Sequence, residues 1–306
     1  MSTAVSERYL RHTQLPEVDL EAPAHLQELA RETAYFGSYY DPAYGALWQY
    51  FKPDSPPKLT EPMIAALRAQ QIDIEAVIRQ DMACGNEPRI KYQITSSRIP
   101  GVFSLGGDLK LFQEKIRNKD REGLERYARN CIDLAYNITS NYGSPVTTIA
   151  LVQGTALGGG FEGALAHNVL VAERHCQLGL PEIMFNMFPG MGAYQLLCRR
   201  LPPAKAERFI LSGRTFNAEE LYEMGIVDVL ADAGKGEQAV WDYIHSMHGK
   251  SHGRDALRRA IQAVDPVDYD EFVKTVDIWV EAALGLSEAD LKKMNLLVRA
   301  QRRAGY

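Results

Sequence analysis

Thr147-Thr148-Ile149-Ala150-Leu151-Val152-Gln153-Gly154-Thr155-Ala156-Leu157-Gly158-Gly159-Gly160-Phe161-Glu162 is the stretch that decides the architecture of this chain. Its first six residues are β-branched or apolar, the pattern of a strand buried on both faces. The glycines that follow read as a strand-to-helix turn. Such a turn leaves the first N–H groups of the helix without intrahelical partners, so it can hold an anionic oxygen. Glu162 falls in the first turn of the new helix. Twenty positions on, Gly179-Leu180-Pro181-Glu182 places a second carboxylate behind another glycine.

The same grammar recurs upstream. Ile90 to Thr95 alternates apolar and polar residues as a strand does, and leads into Phe103-Ser104-Leu105-Gly106-Gly107-Asp108-Leu109, a second glycine turn opening a helix. A longer helix from about Glu122 to Asn141 returns the chain to the Thr147 strand, and short strands at Val169–Ala172 and Ile226–Leu230 extend the series. Repeated strand–helix units of this kind give an α/β fold. Ahead of them, Tyr39-Tyr40-Asp41-Pro42-Ala43-Tyr44-Gly45 suggests a hairpin, and Thr60 caps a helix reaching about Arg79. From Gly236 the chain reads as helical, with Phe272, Val276, Trp279 and Ala283 on one face, then Ser287 as the N-cap of the last helix.

Composition narrows the function. The chain has 306 residues, enough for a large core, and a net charge of −5 with no dominant basic cluster, which gives nucleic-acid binding little electrostatic footing. Cys84, Cys131, Cys176 and Cys198 are widely spaced, with no CxxC pair and no histidines at zinc-ligand spacing, so reduced thiols and no metal are expected. No apolar run approaches a membrane span and the first residues lack a signal-like apolar region, which makes a cytoplasmic location the default. A GxSxG elbow and a Gly-Lys-Ser/Thr phosphate loop are both missing. His167 has no spacing partner and reads as a core or interface histidine.

What remains is the pair of acids with the glycine turns. If the amides of Gly107 and Gly159 converge on one carbonyl oxygen, they stabilise an enolate or a tetrahedral oxyanion, each donor contributing about 3 kcal/mol. Acid–base carboxylates beside such a hole suit removal of the α-proton of a thioester and loss of a β-hydroxyl, or the orientation of water for thioester hydrolysis. Taken singly, each glycine run is also an ordinary tight turn, Glu162 a helix N-terminal acid and Glu182 a surface residue.

The text from Ala150 to Glu162, Leu178 to Glu182 and Leu105-Gly106-Gly107-Asp108 resembles the crotonase (enoyl-CoA hydratase/isomerase) superfamily. Within it, Gly179 to Tyr194, Ile278-Trp279-Val280 and Leu297-Val298-Arg299-Ala300-Gln301 look like the diffusible-signal-factor synthases, which make cis-2-unsaturated fatty acid signals. The resemblance implies a crotonase-like spiral of ββα units for residues 26–235; residues 1–25, with Glu, Asp, Pro and Ser but no periodicity, read as an N-terminal arm or a partly disordered one, and 236–306 as a C-terminal helical region. It implies Glu162 and Glu182 as the acid/base pair, Gly107 and Gly159 as oxyanion amides, and Trp279 and Leu297 in the acyl pocket; Gly106 and, from the apolar cluster after Glu182, Met184 and Met187, whose side chains adapt to a flexible acyl chain, complete the candidate substrate-binding residues.

The implied substrate is a 3-hydroxyacyl chain on acyl carrier protein, dehydrated and then released as the free acid without any cofactor. A homotrimer or homohexamer, with regulation by a sensor protein open to it, belongs to the same resemblance. An ordinary hydratase or isomerase acting on coenzyme A thioesters shares every catalytic residue. A non-catalytic crotonase-like scaffold is the alternative of another class, disfavoured by the retained glutamates.

Overall fold

The computed structural model describes residues 29–303, so the expected arm at 1–25 lies outside the described residues. Two sheets organise the rest. The larger runs in the order β1 (Phe36–Asp41), β2 (Ala46–Phe51), β3 (Tyr92–Ser97), β5 (Thr147–Val152), β7 (Val169–Glu173) and β10 (Val229–Ala231). The smaller runs β4 (Val102–Ser104), β6 (Thr155–Leu157), β8 (Gln177–Gly179) and β9 (Thr215–Asn217). The helices are α1 (Glu61–Ala83), α2 (Leu109–Arg117), α3 (Arg121–Thr139), α4 (Gly159–Leu165), α5 (Ala193–Cys198), α6 (Pro203–Ser212), α7 (Ala218–Glu223), α8 (Gly236–Ser246), α9 (Ser251–Val264), α10 (Tyr269–Leu284) and α11 (Glu288–Arg303).

β1 and β2 form the expected antiparallel hairpin, and from β2 onward the larger sheet is parallel. Each later passage lays one strand in each sheet before a helix: β3, β4, then α2 and α3; β5, β6, then α4; β7, β8, then a 3-10 turn at Pro181–Phe185. This is the ββα spiral of a crotonase-like fold. Every residue of β5 is buried, as its run of β-branched and apolar residues leads one to expect.

The local signals explain the helix starts. Thr60 accepts a hydrogen bond from Met63 N at the head of α1, Asp108 caps α2, and Asn217 with Glu220 forms a capping box on α7. Ser287 and Asp290 cap the start of α11 reciprocally.

The main core lies between the sheets and α1, α3, α4 and α10, and includes Phe103, Tyr127, Phe161 and Trp279. On the other face of the larger sheet, Trp241 of α8 meets Trp48 of β2 at 5.5 Å between ring centroids. The change to all-helical text at residue 236 is therefore a change of secondary structure within continuous packing. Among the described residues no helix is long and apolar enough to cross a membrane.

Candidate active site

Two glycine turns meet at the mouth of an apolar cavity. Gly106 has φ +83°, and a Cβ there would stand 2.7 Å from Gly159 N, so only a glycine lets the turns touch. A Cβ on Gly159 would lie 3.6 Å from Gly107 N. Gly107 precedes the N-cap of α2 and Gly159 opens α4. Neither amide donates to an acceptor among the described residues, and both residues line the cavity. Two free donors on adjoining turns are what an oxyanion site needs.

The carboxylates complete it. Glu162, in the first turn of α4, is 2% exposed, and its Oε1 accepts hydrogen bonds from Met191 N at 2.8 Å and Ala193 N at 3.1 Å. Burial raises its pKa above the usual carboxylate range while those two amides oppose the rise. Glu182 stands in the 3-10 turn with its Oε1 against Gly158, where a Cβ would come within 2.6 Å. Its Oε2 is buried without a partner among the described residues. Burial and then the neighbouring Glu162 push the Glu182 pKa up.

The two acids are therefore unlike. An ionised carboxylate is favoured where amides solvate it, and a proton where an oxygen has no donor, since an unsatisfied buried acceptor costs about 1–3 kcal/mol. Glu162 is the better seat for the negative charge and Glu182 for the proton.

This pair carries a signature in stability. A carboxyl group whose folded pKa is raised holds its proton more tightly in the folded state. Stability consequently falls as pH climbs from the ordinary carboxylate value, about 4.3, through the raised values. Glu182→Gln removes its share, so thermal unfolding of the variant is expected to lose less between acidic and mildly alkaline buffer than the parent does. Parallel losses in the two proteins would show that Glu182 is not held protonated.

Behind the glutamates the cavity is walled by Leu67, Phe103, Phe112, Ile116, Cys131, Leu134, Ala135 and Ile138, with about 150 Å³ open to the centres of water-sized molecules. Among the described residues no lysine or arginine lines it. His167, also lining it, is the core histidine of the sequence reading, 3% exposed and bonded through Nδ1 to Gly163 C=O and through Nε2 to Thr95 Oγ1. Burial holds its pKa down at about 4, which keeps it neutral.

The structure brings Gly106, Gly107, Gly159, Glu162, Glu182, Met187, Trp279 and Leu297 to this one place, Gly106 as the hinge of the turn and the others on the cavity wall. Met184 is not among them. It projects from the 3-10 turn with 64% exposure and packs beside Gly213 instead. The turn ends at Asn186, which takes φ +63°, so the chain reverses and Met187 enters the cavity without Met184.

Sequence reading missed the wall supplied by α2 and α3, although Tyr127, Cys131, Leu134 and Ile138 recur at helical spacing. It missed the amides of Met191 and Ala193 as well. The signal for them is the Gly190-Met191-Gly192 loop opening α5. No group of acidic, histidine or cysteine side chains able to hold a metal ion occurs among the described residues.

Comparison with known proteins gives the family and the fold. A model of the enoyl-CoA hydratase/isomerase family matches residues 59–263. The chain is 37% identical over 134 residues to the peroxisomal fatty acid beta-oxidation multifunctional protein AIM1 of Arabidopsis thaliana, covering 44% of this chain and 18% of that protein. It is 32% identical over 158 residues to mouse mitochondrial methylglutaconyl-CoA hydratase, covering 51% and 48% respectively. The chain thus spans at most about half the length of these curated relatives. Human mitochondrial delta3-delta2-enoyl-CoA isomerase superposes with a TM-score of 0.71 at 18% identity, over 88% of this chain and 99% of that one, a likeness of fold.

Proposed function

The chain belongs to the enoyl-CoA hydratase/isomerase family, and from that premise we propose that it dehydrates a 3-hydroxyacyl thioester and hydrolyses the product to a free cis-2-unsaturated acid. The observation that carries the reading is the unlike pair of buried carboxylates beside two free amides, at the mouth of an apolar cavity. The amides of Gly107 and Gly159 hold the thioester oxygen as it gains charge. Glu162, as carboxylate, takes the α-proton; the electron pair moves into the new C2–C3 double bond; Glu182 gives its proton to the departing 3-hydroxyl, which leaves as water.

For release, one carboxylate accepts a proton from a water molecule that attacks the thioester carbonyl. The same two amides hold the tetrahedral oxyanion, and the carrier thiol leaves with a proton. No cofactor or metal enters either step. The release step and the cis geometry rest on the resemblance of Gly179 to Tyr194 to the diffusible-signal-factor synthases, which favours acyl carrier protein as the thiol carrier and a signalling role for the acid.

A second reading is favoured by the mouse relative, named for a coenzyme A thioester. On it the same residues act as an ordinary hydratase or isomerase and release nothing. The third, a non-catalytic scaffold, has to leave two buried carboxylates unexplained. Helix α9 has no buried residue and exposes Leu257, Ile261 and Val264, an apolar stripe that suits assembly as a homotrimer or homohexamer.

Mass spectrometry of products from 3-hydroxyacyl carrier protein and 3-hydroxyacyl coenzyme A, run side by side, separates these readings. Free cis-2-enoic acid from the carrier-protein substrate is expected. Enoyl thioester alone would overturn the release step and leave the hydratase, and no turnover of either substrate would leave the scaffold.

A further inference from the structure

We propose that α10 is a positioning element for Glu162, with Trp279 and Phe272 holding the loop whose amides fix that carboxylate. The inference rests on the reading above for the base role of Glu162. The loop Pro189-Gly190-Met191-Gly192 supplies Met191 N and leads to Ala193 N, both bonded to Glu162 Oε1. Two of its residues are glycines, so its own sequence does little to hold it.

Helix α10 does that. A Cβ on Gly190 would stand 2.3 Å from the Trp279 ring, and one on Gly192, where φ is +106°, would stand 2.3 Å from Phe272. The two rings are seven positions apart and share a helix face, so they press on the glycines either side of Met191 together. Gln195 of α5 donates through Nε2 to Glu271 C=O at 3.3 Å and to Thr275 Oγ1, tying the start of that helix to α10 as well.

On its other side Trp279 meets Phe112 edge-on at 5.2 Å between centroids. The Phe112 ring lies 2.6 Å from where a Gly107 Cβ would be. One indole therefore bears on both the loop that seats the carboxylate and the turn that carries an oxyanion amide.

The charge on Glu162 depends on that loop because little else stabilises it. Sharing the cavity are Glu182 from the 3-10 turn, Tyr127 and Cys131 from α3 and His167 beyond α4, while the 189–193 loop brings no titratable group and, among the described residues, no element brings a cation. Burial keeps the Cys131 thiol and Tyr127 hydroxyl protonated, and His167 neutral. The two amides are left as the influences that lower the Glu162 pKa.

The test follows the Glu162 carboxyl by ¹³C NMR, its resonance identified by its loss in Glu162→Gln. In Trp279→Ala the titration midpoint is expected to rise by about one pH unit, a tenfold change in ionisation. The acid limb of the kcat profile, where turnover rises as Glu162 ionises, should move to higher pH with it, beyond any rise in KM from the lost cavity wall. Trp279→Phe, which keeps a ring on Gly190, should return the midpoint most of the way. If Trp279→Ala does not fold, Phe272→Leu loosens the same loop from the other glycine and should raise the midpoint in the same direction.

An unchanged midpoint in a folded variant, or no rescue by phenylalanine, would overturn the positioning role. A midpoint that moves in a protein turning over no thioester would leave this inference standing and sink the proposed function.

Discussion

Glu162→Gln is expected to lower kcat for loss of the 3-hydroxyl by about 10²- to 10⁴-fold, the range for removing a general base, with little change in KM. Glutamine keeps an oxygen that can accept from Met191 N and Ala193 N, so the loop stays seated and the fold survives. What goes is the ability to carry a proton away from the α-carbon. The variant's circular dichroism and unfolding midpoint should match or exceed the parent's, because a charge is no longer buried. Near-parental turnover in this folded variant would remove Glu162 from the mechanism.

Glu182→Gln should cost as much in dehydration, for a different reason. The proton it supplies to the leaving hydroxyl has no ready substitute among the described cavity residues, since His167 is neutral and bonded at both ring nitrogens and burial makes the Tyr127 hydroxyl and Cys131 thiol much weaker acids. The double variant should be little worse than either single one, as acid and base act in one transition state. Additive losses would mean that they serve separate steps, and the hydrolysis assay would show which.

How far the site could be read in advance depended on where each residue's role resides. Glu162 and Glu182 are legible because a carboxylate behind a glycine turn is a side-chain signal in a local context. Strand β5 is legible because burial on both faces leaves only β-branched and apolar residues in its text, with no charged one. The smaller sheet is not: β4, β6, β8 and β9 are three residues each, too short to show a period, and their order comes from pairing across distant segments. The text Gly154 to Gly158 looks like one glycine loop, yet Thr155–Leu157 pairs with β8 within it.

The substrate wall divides the same way. Met184 and Met187 look equivalent in sequence, three positions apart as on one side of a 3-10 helix. The left-handed conformation of Asn186 separates them, and nothing in the residue type announces that it will be used. The amides that seat Glu162 are backbone groups, which carry no sequence identity. Gly190 and Gly192 mark them only once Trp279 and Phe272 are known to lie over them.

Gly106→Ala is the other change expected to have a large effect, and it tests the oxyanion site without touching a carboxylate. The new methyl would stand 2.7 Å from Gly159 N and 2.9 Å from Leu157 O, both backbone atoms that cannot swing aside, at a φ of +83° that alanine adopts poorly. The turns must part by several tenths of an ångström, and the amides of Gly107 and Gly159 then no longer point at one oxygen. Losing one such donor lowers kcat by about 10²- to 10³-fold. Dehydration and thioester hydrolysis should fall together, because both place charge on the same oxygen.

Gly253→Ala is the matched control. That glycine lies in α9 with nothing within 4 Å of its Cβ position, so alanine should leave activity alone and help the helix by up to about 1 kcal/mol. If Gly106→Ala folds and loses one activity while keeping the other, the two reactions do not share an oxyanion site, and the single-site mechanism for both steps is wrong.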